Sequence, residues 1–184
     1  HGGREVVDAL CSHPDIAAIS FVGSTDVARH VYTEACKNGK RVQSAGGAKN
    51  VLLVLPDAEI GTTLQAILSS AFGCAGQRCM AGSLLMGVGN SDQLREQVVE
   101  AMNDLVLGNT YDDPHAQMGP VIDGGARDHL FTCIESAAAE GLTVARDGRE
   151  GVPDDGFFVG PTLVDQVEPD RDIFRQELFG PVLS

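Results

Sequence analysis

Short apolar runs alternate with amphipathic segments along most of this chain, and that alternation restricts the possible folds more than any single residue does. Ile16 to Val22 is brief and apolar, Gly23-Ser24-Thr25-Asp26 opens a segment with Val27, Ala28, Val31 and Ala35 at helical spacing, and Val51 to Leu55 is apolar again. Pro56-Asp57 then begins a predicted helix with Ile60, Leu64, Ile67, Leu68 and Ala71 inward, and a strand follows over Leu84 to Val88. Ser91-Asp92 begins a long amphipathic helix carrying Leu94, Val98, Ala101, Met102 and Leu105, and Asp123 to Glu140 reads as another. Short strands are expected at 142–145 and 157–164, with a polar loop over 108–119 and an acidic, glycine-rich one over 147–156. Periods of two and 3.6 alternating in this way point to an α/β fold with mostly parallel strands, because parallel neighbours need a crossover and a helix supplies it.

Two stretches carry chemistry. The first is the step from strand to helix through Gly23 and Ser24, a geometry that brings backbone N–H groups toward phosphate oxygens, although Ser24 or Thr25 also reads as an ordinary helix cap. The second is Gly73-Cys74-Ala75-Gly76-Gln77-Arg78-Cys79-Met80, where small residues let the backbone turn and a thiol projects beside a guanidinium. A thiolate is the nucleophile, so a reactive cysteine needs a cation, a helix dipole or a base nearby. Taken alone, Cys79 reads equally as a core thiol next to a surface arginine, and Arg78 as half of a structural ion pair.

The totals exclude several classes. A formal net charge of −13 opposes binding to nucleic acid or to an anionic membrane, both of which need clustered Lys and Arg. No apolar run is long enough to span a bilayer, and the first residues lack a signal-peptide pattern, so a cytoplasmic protein is expected. The five cysteines are odd in number and irregularly spaced, which suits free thiols better than a disulfide framework or a zinc site. Both ends look cut, with His1-Gly2-Gly3-Arg4 directly before a helix and Gly180-Pro181-Val182-Leu183-Ser184 opening a strand.

Six motifs in order resemble the aldehyde dehydrogenase superfamily across essentially the whole chain. They are Phe21-Val22-Gly23-Ser24-Thr25, Gly46-Gly47-Ala48-Lys49-Asn50, Gly76-Gln77-Arg78-Cys79, Met118-Gly119-Pro120, Gly160-Pro161-Thr162 and Glu177-Leu178-Phe179-Gly180-Pro181. The resemblance implies a three-layer α/β architecture with helices on both faces of its sheet. It also implies the last part of an NAD-binding domain over 1–47 and a truncated catalytic domain over 48–184. Cys79 would be the nucleophile, with Gly23, Ser24, Gly46, Glu177 and Phe179 binding NAD. Glu177 on its own reads as a solvated acid. The resemblance further implies a homo-oligomer, dimer or tetramer, and a mitochondrial matrix location if the source is eukaryotic.

One departure from the family pattern bears on the acyl acceptor. Hydrolytic members carry a glutamate at the head of the glycine-lysine motif, and counting back from Lys49 that position is Ala45. Without that base, water attack on a thioester should be slow, whereas a thiol needs less help. The chain thereby resembles the CoA-acylating methylmalonate-semialdehyde dehydrogenases, which pass the acyl group to coenzyme A and release CO2. Arg78 would then hold the substrate carboxylate. That subfamily usually has an amide residue where Ala45 stands, so two other readings stay open: a hydrolytic enzyme using Glu177 as its base, and a catalytically silent module.

Overall fold

The computed structural model describes residues 2–89 and 91–184, so His1, the first residue of the expected 1–47 domain, lies outside the described residues. The chain divides into two compact units, residues 1–47 and 48–184.

The first unit is a βαβ crossover with one preceding helix: α1 (Arg4–Ser12), β1 (Ala18–Val22), α2 (Thr25–Lys37) and β2 (Arg41–Ala45). β1 and β2 pair in parallel, from Ala18 opposite Arg41 to Val22 opposite Ala45. Its small core is Cys11, Val31 and Ala35, with Val7, Ile19, Phe21 and Val42 against them. The apolar run at Ile16 to Val22 suits a buried strand; within this unit burial alternates along β1, and Val22 is 69% exposed. Only one face of this two-stranded sheet is covered within the unit.

The second unit contains β3 (Asn50–Val54), α3 (Ile60–Phe72), β4 (Gly82–Gly87), α4 (Asp92–Asn103), α5 (Gly124–Ala139), β5 (Thr143–Arg146), β6 (Thr162–Asp165), α6 (Asp172–Arg175) and β7 (Val182–Leu183). β3 pairs in parallel with β4, and β7 pairs in parallel with β6. Two backbone bonds, Ser184 N–H to Ser83 O at 3.1 Å and Leu85 N–H to Ser184 O at 2.8 Å, join β7 to β4 as well. The strand order is therefore β3-β4-β7-β6-β5. β5 departs from the parallel pattern and runs antiparallel to β6. A loop rather than a crossover helix joins these two strands, so the chain simply doubles back.

Two expected boundaries move for local reasons. The predicted start of α3 at Pro56-Asp57 shifts to Ile60, because the Glu59 carboxylate accepts from Gly61 N–H at 2.9 Å and Thr62 N–H at 2.7 Å and so caps the helix there. The strand expected over 157–164 narrows to Thr162–Asp165, since Gly160 N–H is already spent on Gly148 O at 2.7 Å. Phe158 and Val159 are buried without joining a ladder. The core of this unit gathers Ile67, Phe72, Val98, Met102, Leu130, Ile134, Val164 and Leu183, drawn from α3, α4, α5, β6 and β7, of which the three helices have apolar stripes legible by spacing. Among the described residues, no helix is long and apolar enough to cross a membrane.

Candidate active site

Helix α3 ends at Phe72, and the chain then makes a turn that ordinary residues avoid. Cys74 and Ala75 both lie at φ 52° and Gly76 at φ 69°, three consecutive residues in the left-handed region. For the two non-glycine residues this costs about 1–2 kcal/mol each, and such strain persists only where surrounding packing dictates it. Here it reverses the chain directly ahead of Arg78-Cys79-Met80-Ala81, a tight turn closed by Ala81 N–H to Arg78 O at 3.0 Å. Cys79 and Met80 occupy its two central positions, both exposed, with Met80 at 84%. The core-thiol reading of Cys79 is thereby removed. Among the described residues the Cys79 N–H has no hydrogen-bond partner, so it is free to meet an oxyanion.

The turn is fastened from three directions. From α3, Arg78 Nη2 donates to Ser69 O at 2.5 Å and Ser70 O at 3.0 Å, and Ser70 Oγ accepts from Gly82 N–H at 3.0 Å. From the 120–122 loop, Gln77 Oε1 accepts from Ile122 N–H at 2.8 Å while its amide donates toward Cys74 O and Pro120 O. From β3, Asn50 Nδ2 donates to Cys79 O and to Ala81 O, both at 2.9 Å. Among the described residues Arg78 makes no ion pair with a carboxylate: its Nη2 grips the end of α3, and its Nε and Nη1 hydrogens have no protein acceptor there. A guanidinium held in this way presents its remaining donors in a fixed direction.

Arg78 shares a cleft with Asn50, Ala81, Glu177, Phe179 and Gly180. Phe179 is itself left-handed at φ 53° and half exposed, so the 177–180 segment is also held away from relaxed geometry. Gly76 brings the two segments together. A Cβ there would fall on the carbonyl of Gly180, so only glycine allows the approach. A larger cavity, about 260 Å³, opens between β4 and β6 and is lined by none of Cys79, Arg78 and Glu177.

Two neighbours in this unit carry no role in the sequence reading. Asn50 and Lys49 appear there only as letters of a glycine-lysine motif, because periodicity says nothing about where a side chain from one strand lands on a distant turn. Lys49 Nζ is buried without a hydrogen-bond partner among the described residues. Burial pulls its pKa down to about 8, opposed by the charges of Cys133 and Glu177. Burial also pushes the Cys133 thiol up, with the Lys49 charge acting against it.

Lys49 gives a prediction about stability. Its folded pKa lies below the ordinary 10.5, so below pH 8 the fold bears a buried ammonium, and the penalty is relieved as pH rises from 8 to 10.5 while the unfolded chain still holds the proton. At about 1.4 kcal/mol per unit, Lys49→Met should stabilise this unit by roughly 3 kcal/mol at pH 7 and by little at pH 10.5. Urea melts of both proteins at the two pH values check this. An equal effect at both would show that the amine does not titrate as described.

In the first unit, Gly23 and Ser24 stand between β1 and α2. Ser24 occupies the N-cap position and its main-chain carbonyl takes Ala28 N–H at 2.8 Å, but its side chain makes no capping bond. The hydroxyl and the first-turn N–H groups of α2 are thus left to an outside acceptor, as a phosphate site requires. Gly46 follows β2, and a Cβ on it would crowd Thr25 at 3.1 Å. Thr25 Oγ1 in turn accepts Gly47 N–H at 3.1 Å. Gly23, Ser24 and Gly46 therefore meet at one end of the two-stranded sheet, while Arg78, Cys79, Glu177 and Phe179 belong to the second unit. Ala45 ends β2, exposed, with its carbonyl accepting Gly23 N–H at 3.2 Å. Among the described residues no cluster of His, Cys, Asp and Glu is arranged to hold a metal ion.

The aldehyde dehydrogenase family model matches residues 1–184. A malonate-semialdehyde dehydrogenase of Geobacillus kaustophilus is 44% identical over 187 residues, covering 100% of this chain and 38% of that protein. The acylating methylmalonate-semialdehyde/malonate-semialdehyde dehydrogenase of rat mitochondria is 42% identical, covering 100% of this chain and 35% of its own length. Among solved structures, a methylmalonate-semialdehyde dehydrogenase of Oceanimonas doudoroffii superposes with a TM-score of 0.94 at 42% identity, over 99% of this chain and 38% of that one. A Sinorhizobium meliloti protein assigned to the same activity and solved with NAD gives the same values. The chain thus spans well under half the length of the relatives it matches.

Proposed function

The chain belongs to the aldehyde dehydrogenase family, and from that premise we propose that it carries the nucleophile and part of the cofactor site of an NAD-dependent, CoA-acylating semialdehyde dehydrogenase, with malonate or methylmalonate semialdehyde as substrate. The observation that carries the choice of acyl acceptor is Ala45, a methyl group where hydrolytic relatives need a carboxylate. The names of relatives spanning the whole chain, two of them designated acylating, support the same choice.

In this reading the Cys79 sulfur attacks the aldehyde carbon. The new C–S bond leaves the former carbonyl oxygen with the displaced electron pair, and the free Cys79 N–H donates to it. NAD, when bound, accepts the hydride that turns this adduct into a thioester. Within the first unit, the uncapped start of α2 at Gly23 and Ser24, with Gly46 alongside, would hold the diphosphate of such a cofactor. Within the second, the Glu177 carboxylate would accept from ribose hydroxyls, and Phe179 would offer an apolar face. Arg78 turns its two unspent nitrogens toward the substrate carboxylate; once the thioester exists this group leaves as CO2, the electron pair of the broken C–C bond passing into the thioester carbonyl and a proton from solvent taking its place on the α-carbon. The thiol of coenzyme A then displaces the Cys79 thiolate, giving propionyl-CoA or acetyl-CoA.

The test is product analysis in the active protein carrying this sequence, supplied with NAD and a semialdehyde. Steady NADH formation should require CoA and yield an acyl-CoA, with at most a single stoichiometric burst in its absence. Free acid released at the same rate with and without CoA would reject the acylating reading and favour water as acceptor.

A further inference from the structure

The tie between Asn50 and the nucleophile turn has a geometry that goes beyond holding two strands together. One Nδ2 atom reaches two carbonyls, Cys79 O and Ala81 O, each at 2.9 Å. An amide nitrogen carries two hydrogens, so each carbonyl receives one, and because both partners are acceptors only the nitrogen can face them. The peptide plane preceding Cys79 is held by Arg78 O, which takes Ala81 N–H. The plane following it is held by Cys79 O, which takes the Asn50 amide. Both planes flanking the nucleophile are therefore pinned, which sets the direction of its Cα–Cβ bond and of its free N–H.

The strand pairing is arranged to deliver that amide. β3 and β4 pair from Asn50 opposite Gly82 to Val51 opposite Leu84, a step that skips Ser83. The irregularity leaves Ser83 Oγ donating to Asn50 O at 3.4 Å. An extra residue of this kind re-aims the side chains beside it, and such bulges recur next to active sites. A strand in perfect register would not need one here.

We propose that Asn50 is the positioning residue of the Cys79 turn, its amide nitrogen holding the thiol and its N–H in the attacking orientation. The inference rests on the reading of Cys79 as the nucleophile of an aldehyde dehydrogenase. Rate is sensitive to small misplacements of reacting groups, so loss of the tie should act on the chemical step and spare cofactor binding.

The experiment is rapid-mixing measurement of the NADH burst in the active protein, with NAD affinity measured separately. Asn50→Asp removes both donors and sets a carboxylate against two carbonyls; Asn50→Ser is the milder change and covers the case in which the aspartate variant does not fold. A burst rate constant is read per competent site, so a reduced folded fraction lowers its amplitude and not its value. The expected result is a rate constant lowered about 30-fold or more, further for Asp than for Ser, with NAD affinity within about threefold of the parent. Rate constants within about threefold of the parent would overturn the assignment. So would a parallel loss of NAD affinity, which would mark Asn50 as merely structural. Failure of the underlying reading looks different: the unsubstituted protein would show no burst, or Cys79→Ser would keep it, and the proposal would fall with it.

Discussion

Cys79→Ser should lower NADH formation by at least about a thousandfold in the active protein carrying this sequence, with NAD affinity unchanged. The substitution alters one atom on an exposed turn, so no packing is disturbed: Cys79 lies outside the buried core. The loss follows from the nucleophile itself, because a serine hydroxyl is essentially un-ionised near neutrality, and the turn as described brings it no base. Arg78, whose Nη2 is committed to Ser69 O and Ser70 O, carries only donors and can accept no proton. Residual activity near the parent level would show that sulfur is not the attacking atom, and the mechanism would have to be rebuilt on another residue. Cys74, five positions earlier and also exposed, gives an internal control. Its replacement by serine should retain most of the activity.

A larger effect on folding is expected at Gly76. Gly76→Ala suffers twice: the left-handed backbone at φ 69° disfavours any Cβ by about 1–2 kcal/mol, and the added atom falls on the Gly180 carbonyl, for which about 1–3 kcal/mol more is expected. The two costs can be separated within the same unit. Gly151 has nearly the same backbone, φ 66°, with nothing within 4 Å of the added carbon, so Gly151→Ala should show only the first. Urea denaturation of the two variants measures the difference. If Gly76→Ala were no worse than Gly151→Ala, the close approach of the nucleophile segment to the 177–180 segment would not hold. On the proposed role of Glu177 and Phe179 in holding NAD, the Gly76 variant should also bind NAD more weakly than its folded fraction accounts for.

Much of this molecule could be read before any coordinates, and the reasons are local. The stripes on α3, α4 and α5 follow from side chains recurring every 3.6 residues, and Ile67, Val98, Met102, Leu130 and Ile134 are indeed buried. The turn at Gly73 to Met80 was visible from small residues flanking a thiol. The alternating burial along β1 was not legible, since an apolar run in one strand cannot say whether a second layer covers it. The start of α3 escaped for a subtler reason. Pro56-Asp57 is a good opening for a helix, but Glu59 made the better cap, and two carboxylate bonds outweigh a propensity.

What the amino-acid sequence determined by itself is therefore the order of elements, the apolar faces they bury, and the turn of small residues that carries the thiol; that the thiol is exposed was decided by the structure. All of these depend on neighbours within about a dozen positions, where spacing and turn chemistry act directly. Only the tertiary structure decided that Asn50, 29 positions before Cys79, lends it an amide, that Lys49 is buried near Glu177 and Cys133, and that Gly76 must be bare because Gly180 passes over it. Those contacts depend on which strands lie side by side, and strand order is set by packing the whole unit, which no local run of residues encodes.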